Sequence, residues 1–232
     1  VLHLLKAPDF VSIINLLFGM AAIFFAFSGL FSVAAVCLLI AAAADGVDGY
    51  VARKTSSGPL GAHIDSLVDA VSFGVAPAVL VYCMSGELIS ILFVCLYAIC
   101  GILRLARYNA FPPQEPVYSG IPITSACVSL AVLIIFFNEV PRAAFEVPYS
   151  NELIYITLFL LSLLMVSTIP YPKVMKKITF VFLIFLFSGT SISVFIDSPY
   201  IIIFPGVLCL LMLFYLLSPI VGLIWKKDSV RL

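Results

Sequence analysis

Eight apolar segments follow one another along the 232 residues, at about 10–28, 31–53, 61–83, 88–108, 121–138, 152–169, 177–196 and 200–225. Each is close to the roughly 20 residues a helix needs to cross a bilayer. A lipid interior offers backbone groups no outside partner, so a spanning segment must satisfy its own hydrogen bonds, and runs of this length do so as helices. The polar connections are short, the longest at about 109–120 and 139–151, and leave no room for a soluble domain. Composition agrees: hydrophobic residues make up 63% and charged residues 10%, against roughly 45–50% and 25% in soluble domains. The expected fold is all-α, a polytopic membrane helix bundle of about eight transmembrane helices. A formal net charge of +0 gives no case for a nucleic-acid partner. The six cysteines lie inside apolar runs without metal-ligand spacing and read as buried, inert thiols. No cleavable leader is expected, since Ala7-Pro8-Asp9 runs straight into the first apolar segment.

Orientation follows from the cations. With eight crossings both termini fall on one side, together with Lys6, Arg53, Lys54, Arg104, Arg107, Lys173, Lys176, Lys177, Lys226, Lys227 and Arg231. Only Arg142 falls on the other, where Glu139, Glu146 and Glu152 lie. This asymmetry predicts cytoplasmic termini.

Into this apolar chain the stretch 45–69, DGVDGYVARKTSSGPLGAHIDSLVD, places four carboxylates. Asp45 and Asp48 are three apart and Asp65 and Asp69 four apart, so each pair occupies one face of its own helix. Gly58-Pro59 with the preceding serines is a turn that folds the two helices into an antiparallel hairpin. Both acid pairs then return to the same depth and face one cavity, on the cytoplasmic side. Burying four carboxylates near a bilayer without cations would be very costly. Shared divalent metal resolves the cost, and an all-oxygen donor set suits Mg²⁺ or Mn²⁺. Two facing acid pairs match the needs of a two-metal site, with ions roughly 3.5–4 Å apart. A cation transporter is a rival reading of intramembrane acids, but it requires acids spread along a path or broken helices in symmetric halves. Here the acids gather at one face and no internal repeat is evident. A purely structural membrane protein has no need of four carboxylates in register.

The pattern Asp45-x2-Asp48-Gly49-x2-Ala52-Arg53-x7-Gly61-x3-Asp65-x3-Asp69 resembles the signature of the CDP-alcohol phosphatidyltransferases. The run from Ser66 to Ala78, the hexapeptide Arg104-Leu105-Ala106-Arg107-Tyr108-Asn109 and the tripeptide Gly120-Ile121-Pro122 resemble its phosphatidylserine synthase branch. The resemblance covers roughly residues 7 to 170. It implies a six-helix catalytic core over 1–170 and two additional transmembrane helices over 171–232.

The resemblance further implies an enzyme that transfers the phosphatidyl or archaetidyl group of CDP-diacylglycerol or CDP-archaeol to the hydroxyl of L-serine, releasing CMP. Asp45, Asp48 and Asp65 would ligate metal, and Asp69 would ligate metal or take the serine proton. Asn15, Asp48, Gly49, Ala52, Arg53 and Gly61 would bind the CDP-lipid, with Gly49 leaving space for the nucleotide and Arg53 neutralising a phosphate oxygen. Ser66, Ser72, Arg104, Arg107 and Asn109 would serve the acceptor or a phosphate. Bland readings stand beside these: a helix-to-helix hydrogen bond for Asn15, and snorkelling to headgroups for Arg104 and Arg107. His63 reads as solvated, and Tyr171 and Lys173 resemble a family motif while serving a basic loop. The last two segments read as structural, a packing or lipid-facing annex. The same chemistry with glycerol-3-phosphate or inositol phosphate as acceptor is the nearest alternative. A homodimer among membrane lipids is expected from the resemblance, and direct transfer is favoured because no ordinary free nucleophile stands in the motif.

Overall fold

The computed structural model describes residues 6–52, 60–111, 117–143, 150–172, 177–196 and 203–228, and side chains at all of these except 7–8, 48–52, 140–143, 150, 177–181 and 220–228. Eight helices run through the described residues: α1 (Ala7–Phe27), α2 (Phe31–Ala52), α3 (Gly61–Ser85), α4 (Ser90–Ala110), α5 (Ile123–Ala143), α6 (Ser150–Val166), α7 (Lys177–Phe195) and α8 (Ile203–Asp228). They correspond one to one with the eight apolar segments. Three of them, over Asp9–Phe27, Gly61–Ser85 and Ser90–Ala110, are long and apolar enough to cross a membrane, with mean hydropathies of 2.3, 1.9 and 1.8. Five shorter apolar stretches account for the others within the described residues.

The outer surface is that of a protein dissolved in lipid. On α1, Phe10, Leu17 and Phe24 recur every seventh residue and are each more than half exposed, a stripe of bulky apolar groups that water would not tolerate at this extent. The protein is an integral membrane helix bundle. The opposite side of α1 meets α2 and α3. There the contact depends on small residues, as in lipid, where close backbone approach replaces the hydrophobic drive. Ala34, Ala35 and Ala41 of α2 are fully buried. Gly19 of α1 lies so near Ser72 of α3 that any Cβ would collide with the serine.

Helices α1 to α6 surround a common core in which Leu38, Phe73, Leu80, Tyr97, Leu130 and Ile134 are fully buried. The two C-terminal helices lie against this core, α7 on α2 and α8 on α5. Of the six unbridged cysteines, Cys37, Cys100 and Cys127 are buried as expected, whereas Cys95 is exposed on α4. Its surroundings there are the bilayer, as apolar as a core, so periodicity alone does not separate the two positions.

Two local features lie outside the expected pattern. Residues Ala70–Val75 in the middle of α3 form a π-helical turn. Pro77 has no N–H to return to the Phe73 carbonyl four residues earlier, and the Tyr97 hydroxyl of α4 donates to that carbonyl instead, at 3.1 Å. The second feature is a short antiparallel ribbon, β1 (Val117–Ser119) with β2 (Pro170–Pro172), centred on Tyr118 opposite Tyr171. It ends α6 earlier than the apolar run suggests, because Pro170 and Pro172 hold the preceding residues out of the helical region. Gly120 leaves β1 at φ 76, a left-handed backbone that favours glycine. Its N–H donates to the Ile169 carbonyl at 2.8 Å.

Candidate functional site

The acids converge where the C-terminal end of α2 meets the N-terminal end of α3. Asp45, Asp65 and Asp69 each bring a carboxylate oxygen within 4.8 Å of the other two. Helical spacing sets part of this up: Asp65 and Asp69 are one turn apart on α3, and the packing of α2 against α3 brings Asp45 to them. Asp45 and Asp65 are half-buried and Asp69 is buried. Asp48, Gly49 and Ala52 continue α2, but their side chains lie outside the described residues, as does Arg53 altogether.

Three like charges at this separation repel strongly in a medium of low dielectric. The donors are all carboxylate oxygens, with no histidine or cysteine among them, which is the ligand chemistry of hard divalent cations. The arrangement therefore fits a hard divalent cation. One further group orients it. Thr124, in the first turn of α5, donates its hydroxyl to Asp45 Oδ2 at 3.2 Å. Sequence reasoning passed over Thr124, although it stands two residues after the Gly120-Ile121-Pro122 tripeptide, itself at the start of a helix.

Asn15 of α1 is fully buried, and among the described residues neither its amide nitrogen nor its amide oxygen has a hydrogen-bond partner. A buried amide left unpaired costs about 1–3 kcal/mol, so a helix-to-helix hydrogen bond does not explain the residue. Its backbone carbonyl accepts from Ser72 Oγ at 3.3 Å. Ser72 is thereby enclosed between α1 and α3, three residues past Asp69. Gly61, half-buried, opens α3.

On the α4 side the two arginines differ. Arg107 is committed to backbone: it donates to the carbonyls of Val166 at 2.9 Å, Ser119 at 2.6 Å and Met165 at 3.1 Å. Met165 and Val166 end α6, so the guanidinium caps that helix and ties it to the ribbon. Arg104 is only 8% exposed, and its guanidinium carbon lies 5.3 Å from the ring centroid of Tyr108 and 5.9 Å from that of Tyr118. Such stacking holds a cation without neutralising it. Arg104 also interacts electrostatically with Asp69. A cavity of about 270 Å³ opens here, lined by Arg104, Arg107, Tyr108, Phe111, Tyr118 and Ser119. Asn109 Nδ2 donates to Ser66 Oγ at 2.8 Å, joining α4 to α3 beside the acids. His63 is exposed. Tyr171, buried in the ribbon, donates to the Leu216 carbonyl of α8 at 3.2 Å. Burial pushes its phenol up, which keeps that donor proton in place.

The family described as CDP-alcohol phosphatidyltransferase matches residues 5–169. An archaetidylserine synthase of Methanothermobacter thermautotrophicus is 34% identical over 174 residues, 72% of this chain and 70% of its own. A CDP-diacylglycerol–serine O-phosphatidyltransferase of Methanocaldococcus jannaschii is 31% identical over 213 residues, covering 91% of this chain and 92% of its own. A protein of the same name from Helicobacter pylori is 34% identical over 190 residues, 77% of this chain and 79% of its own.

Proposed function

This chain belongs to the CDP-alcohol phosphatidyltransferase family, and from that premise we propose that it moves the phosphatidyl or archaetidyl group of a CDP-linked lipid onto the hydroxyl of L-serine. The hydroxyl oxygen of serine attacks the phosphorus that carries the lipid. The bond from that phosphorus to the CMP oxygen breaks, CMP leaves, and the serine proton passes to a base. The observation that carries the reading is the meeting of Asp45, Asp65 and Asp69 within 4.8 Å, in a chain whose relatives are named as serine transferases over most of their length.

In this reading Asp45, Asp48 and Asp65 hold divalent metal, Mg²⁺ or Mn²⁺. Bound there, the metal would supply positive charge to neutralise the pyrophosphate and the leaving group. Asp69, buried and within electrostatic reach of Arg104, takes the serine proton or adds a further metal ligand. The amide of Asn15, without a partner among the described residues, is the group that a nucleotide would satisfy, and Gly49, Ala52, Arg53 and Gly61 of the motif would bind the same donor. Arg104, lying over two neighbouring tyrosine rings, receives the serine carboxylate or the lipid phosphate. Ser66 and Asn109 edge the acceptor side, and Ser72 fixes α1 against α3. Arg107 positions the cavity rather than a ligand. The site faces the cytoplasm, where serine and CTP-derived nucleotides are found, as the eleven-to-one distribution of lysine and arginine implies. Transfer is direct, and the working unit is a homodimer.

The test is CMP release by purified protein with CDP-lipid, Mn²⁺ or Mg²⁺, and each alcohol in turn. Release that requires both metal and serine, with a serine-containing lipid as product, is expected. Release with glycerol-3-phosphate or inositol phosphate in place of serine would keep the site and overturn the acceptor. No release with any alcohol, from folded protein that binds metal, would sink the transferase reading.

A further inference from the structure

The two C-terminal helices lie beyond the residues that the family matches, 5–169, yet they enclose space beside the acids. A cavity of about 170 Å³ lies where α2, α5, α7 and α8 meet. Its inner wall includes Asp45, with Thr124 beside it, the pair joined by the 3.2 Å hydrogen bond. Its outer wall is Leu183, Ile184 and Phe187 of α7 and Met212 of α8. The remaining floor is small, with Ala42, Ala43 and Gly46 of α2. One end of the cavity is thus polar, with Asp45, Thr124 and Ser125, and the rest of its lining is apolar.

We propose that this cavity seats the first part of one hydrocarbon chain of the CDP-linked donor lipid, so that α7 and α8 form a chain-binding subsite of the transferase. The inference rests on the reading that the donor is such a lipid. Three observations support the occupant. First, the volume slightly exceeds the roughly 150 Å³ of a dry apolar cavity known to hold benzene, so a short run of methylenes fits. Second, a donor whose phosphates lie at Asp45 must lead its chains away from that carboxylate, and this space starts there. Third, α2 lines it with alanine and glycine while α7 and α8 present long side chains, which leaves a slot rather than interdigitated packing. The part of the chain beyond the slot continues into the bilayer, where Phe182, Phe185, Leu213 and Phe214 already face outward.

The experiment uses the full-length protein in membranes or detergent and a CDP-diacylglycerol with a diazirine a few carbons below the glycerol ester. Photolabelling is expected on the 183–187 segment of α7 and at Met212. Labelling confined to the outward faces of α1 or α4 would overturn the proposal. This map is read with or without serine, so it stands apart from turnover: absence of serine-dependent CMP release would remove the proposed function while still locating the chain. Slot-filling variants give a second readout. Ile184→Trp and Met212→Trp should lower CMP release from a long-chain donor by about fourfold for each methylene that no longer fits, and leave a diacetyl donor, which has no methylenes to place in the slot, nearly as good as before. Equal loss with both donors would overturn the subsite. Where a variant does not fold, the label map of the unsubstituted protein decides.

Discussion

Both ends of the bundle hold carboxylates among helices, and they hold them differently. At the end away from the acids, Glu139 of α5 accepts from the Ser32 hydroxyl at 2.6 Å. Glu87, between α3 and α4, accepts from the Tyr155 hydroxyl at 3.1 Å and from Asn151 at 3.4 Å. There each acid is matched with neutral donors from another helix, and the result is a tie between helices. At the other end three acids are gathered within 4.8 Å of one another. Clustering of like charge stabilises nothing by itself. It makes sense only where a cation completes it, so the two ends separate structural carboxylates from working ones without reference to any relative.

Metal removal should break this comparison most sharply. Chelation is expected to abolish CMP release and to lower the melting temperature of the purified protein. Saturating Mg²⁺ or Mn²⁺ at a hundredfold over its Kd would restore about 2.7 kcal/mol. A Glu139→Gln variant should show the same metal-dependent shift as the unsubstituted protein, whereas Asp45→Asn should lose most of it. Equal shifts in all three would mean that the acid cluster is not where metal binds. Next in size is Asp69→Asn, for which turnover should fall by about 10²–10⁴-fold while CDP-lipid binding stays measurable by calorimetry. Near-normal turnover in that variant would take Asp69 out of the chemistry.

The same two ends explain what could be read from the sequence. Eight helices and the meeting of Asp45, Asp65 and Asp69 were legible because apolar length and helical spacing are local signals. The ribbon was not, since Tyr118 and Tyr171 are paired across two helices and neither three-residue strand has a period of its own. Arg104 and Arg107 look alike in sequence, three apart on one helix. Only the position of the α6 carbonyls tells them apart, and that is a tertiary fact. Thr124 was missed for the same reason: a threonine in a first helical turn is ordinary until another helix brings Asp45 to it. The annex reading of the last two segments came from their lack of polar groups. The structure packs both against the core, α7 on α2 and α8 on α5.

The arginine pair gives the intermediate test. Arg107→Ala leaves three backbone carbonyls without their charged donor, and stability should fall by about 1.5–3 kcal/mol, read as a lower melting temperature. Arg104→Gln should leave the melting temperature nearly unchanged and raise the KM for serine or for the CDP-lipid by about tenfold, the loss of roughly one charge-assisted hydrogen bond. If the KM effects were the reverse, Arg107 would be the ligand-binding group and the carbonyl contacts secondary.

The smallest expected effects come from two hydroxyl-to-carboxylate bonds, one at each end. Thr124→Val removes the donor that orients Asp45, and Ser32→Ala removes the donor that ties α2 to Glu139. Each bond is worth about 1 kcal/mol by the usual measure, so the two substitutions should cost similar energy in different places. For Thr124→Val the loss should appear as roughly a fivefold fall in kcat, together with a higher concentration of Mg²⁺ or Mn²⁺ needed for half-maximal rate, and Thr124→Ser should recover both. For Ser32→Ala it should appear only in the melting temperature. The 2.6 Å bond is the shorter and the stronger of the two, yet it should matter less to turnover, because the carboxylate it holds stands outside the acid cluster. A metal requirement that moved with Ser32 would mean that the far end is coupled to the site through α2, and that the division between the two ends is one of place rather than of function.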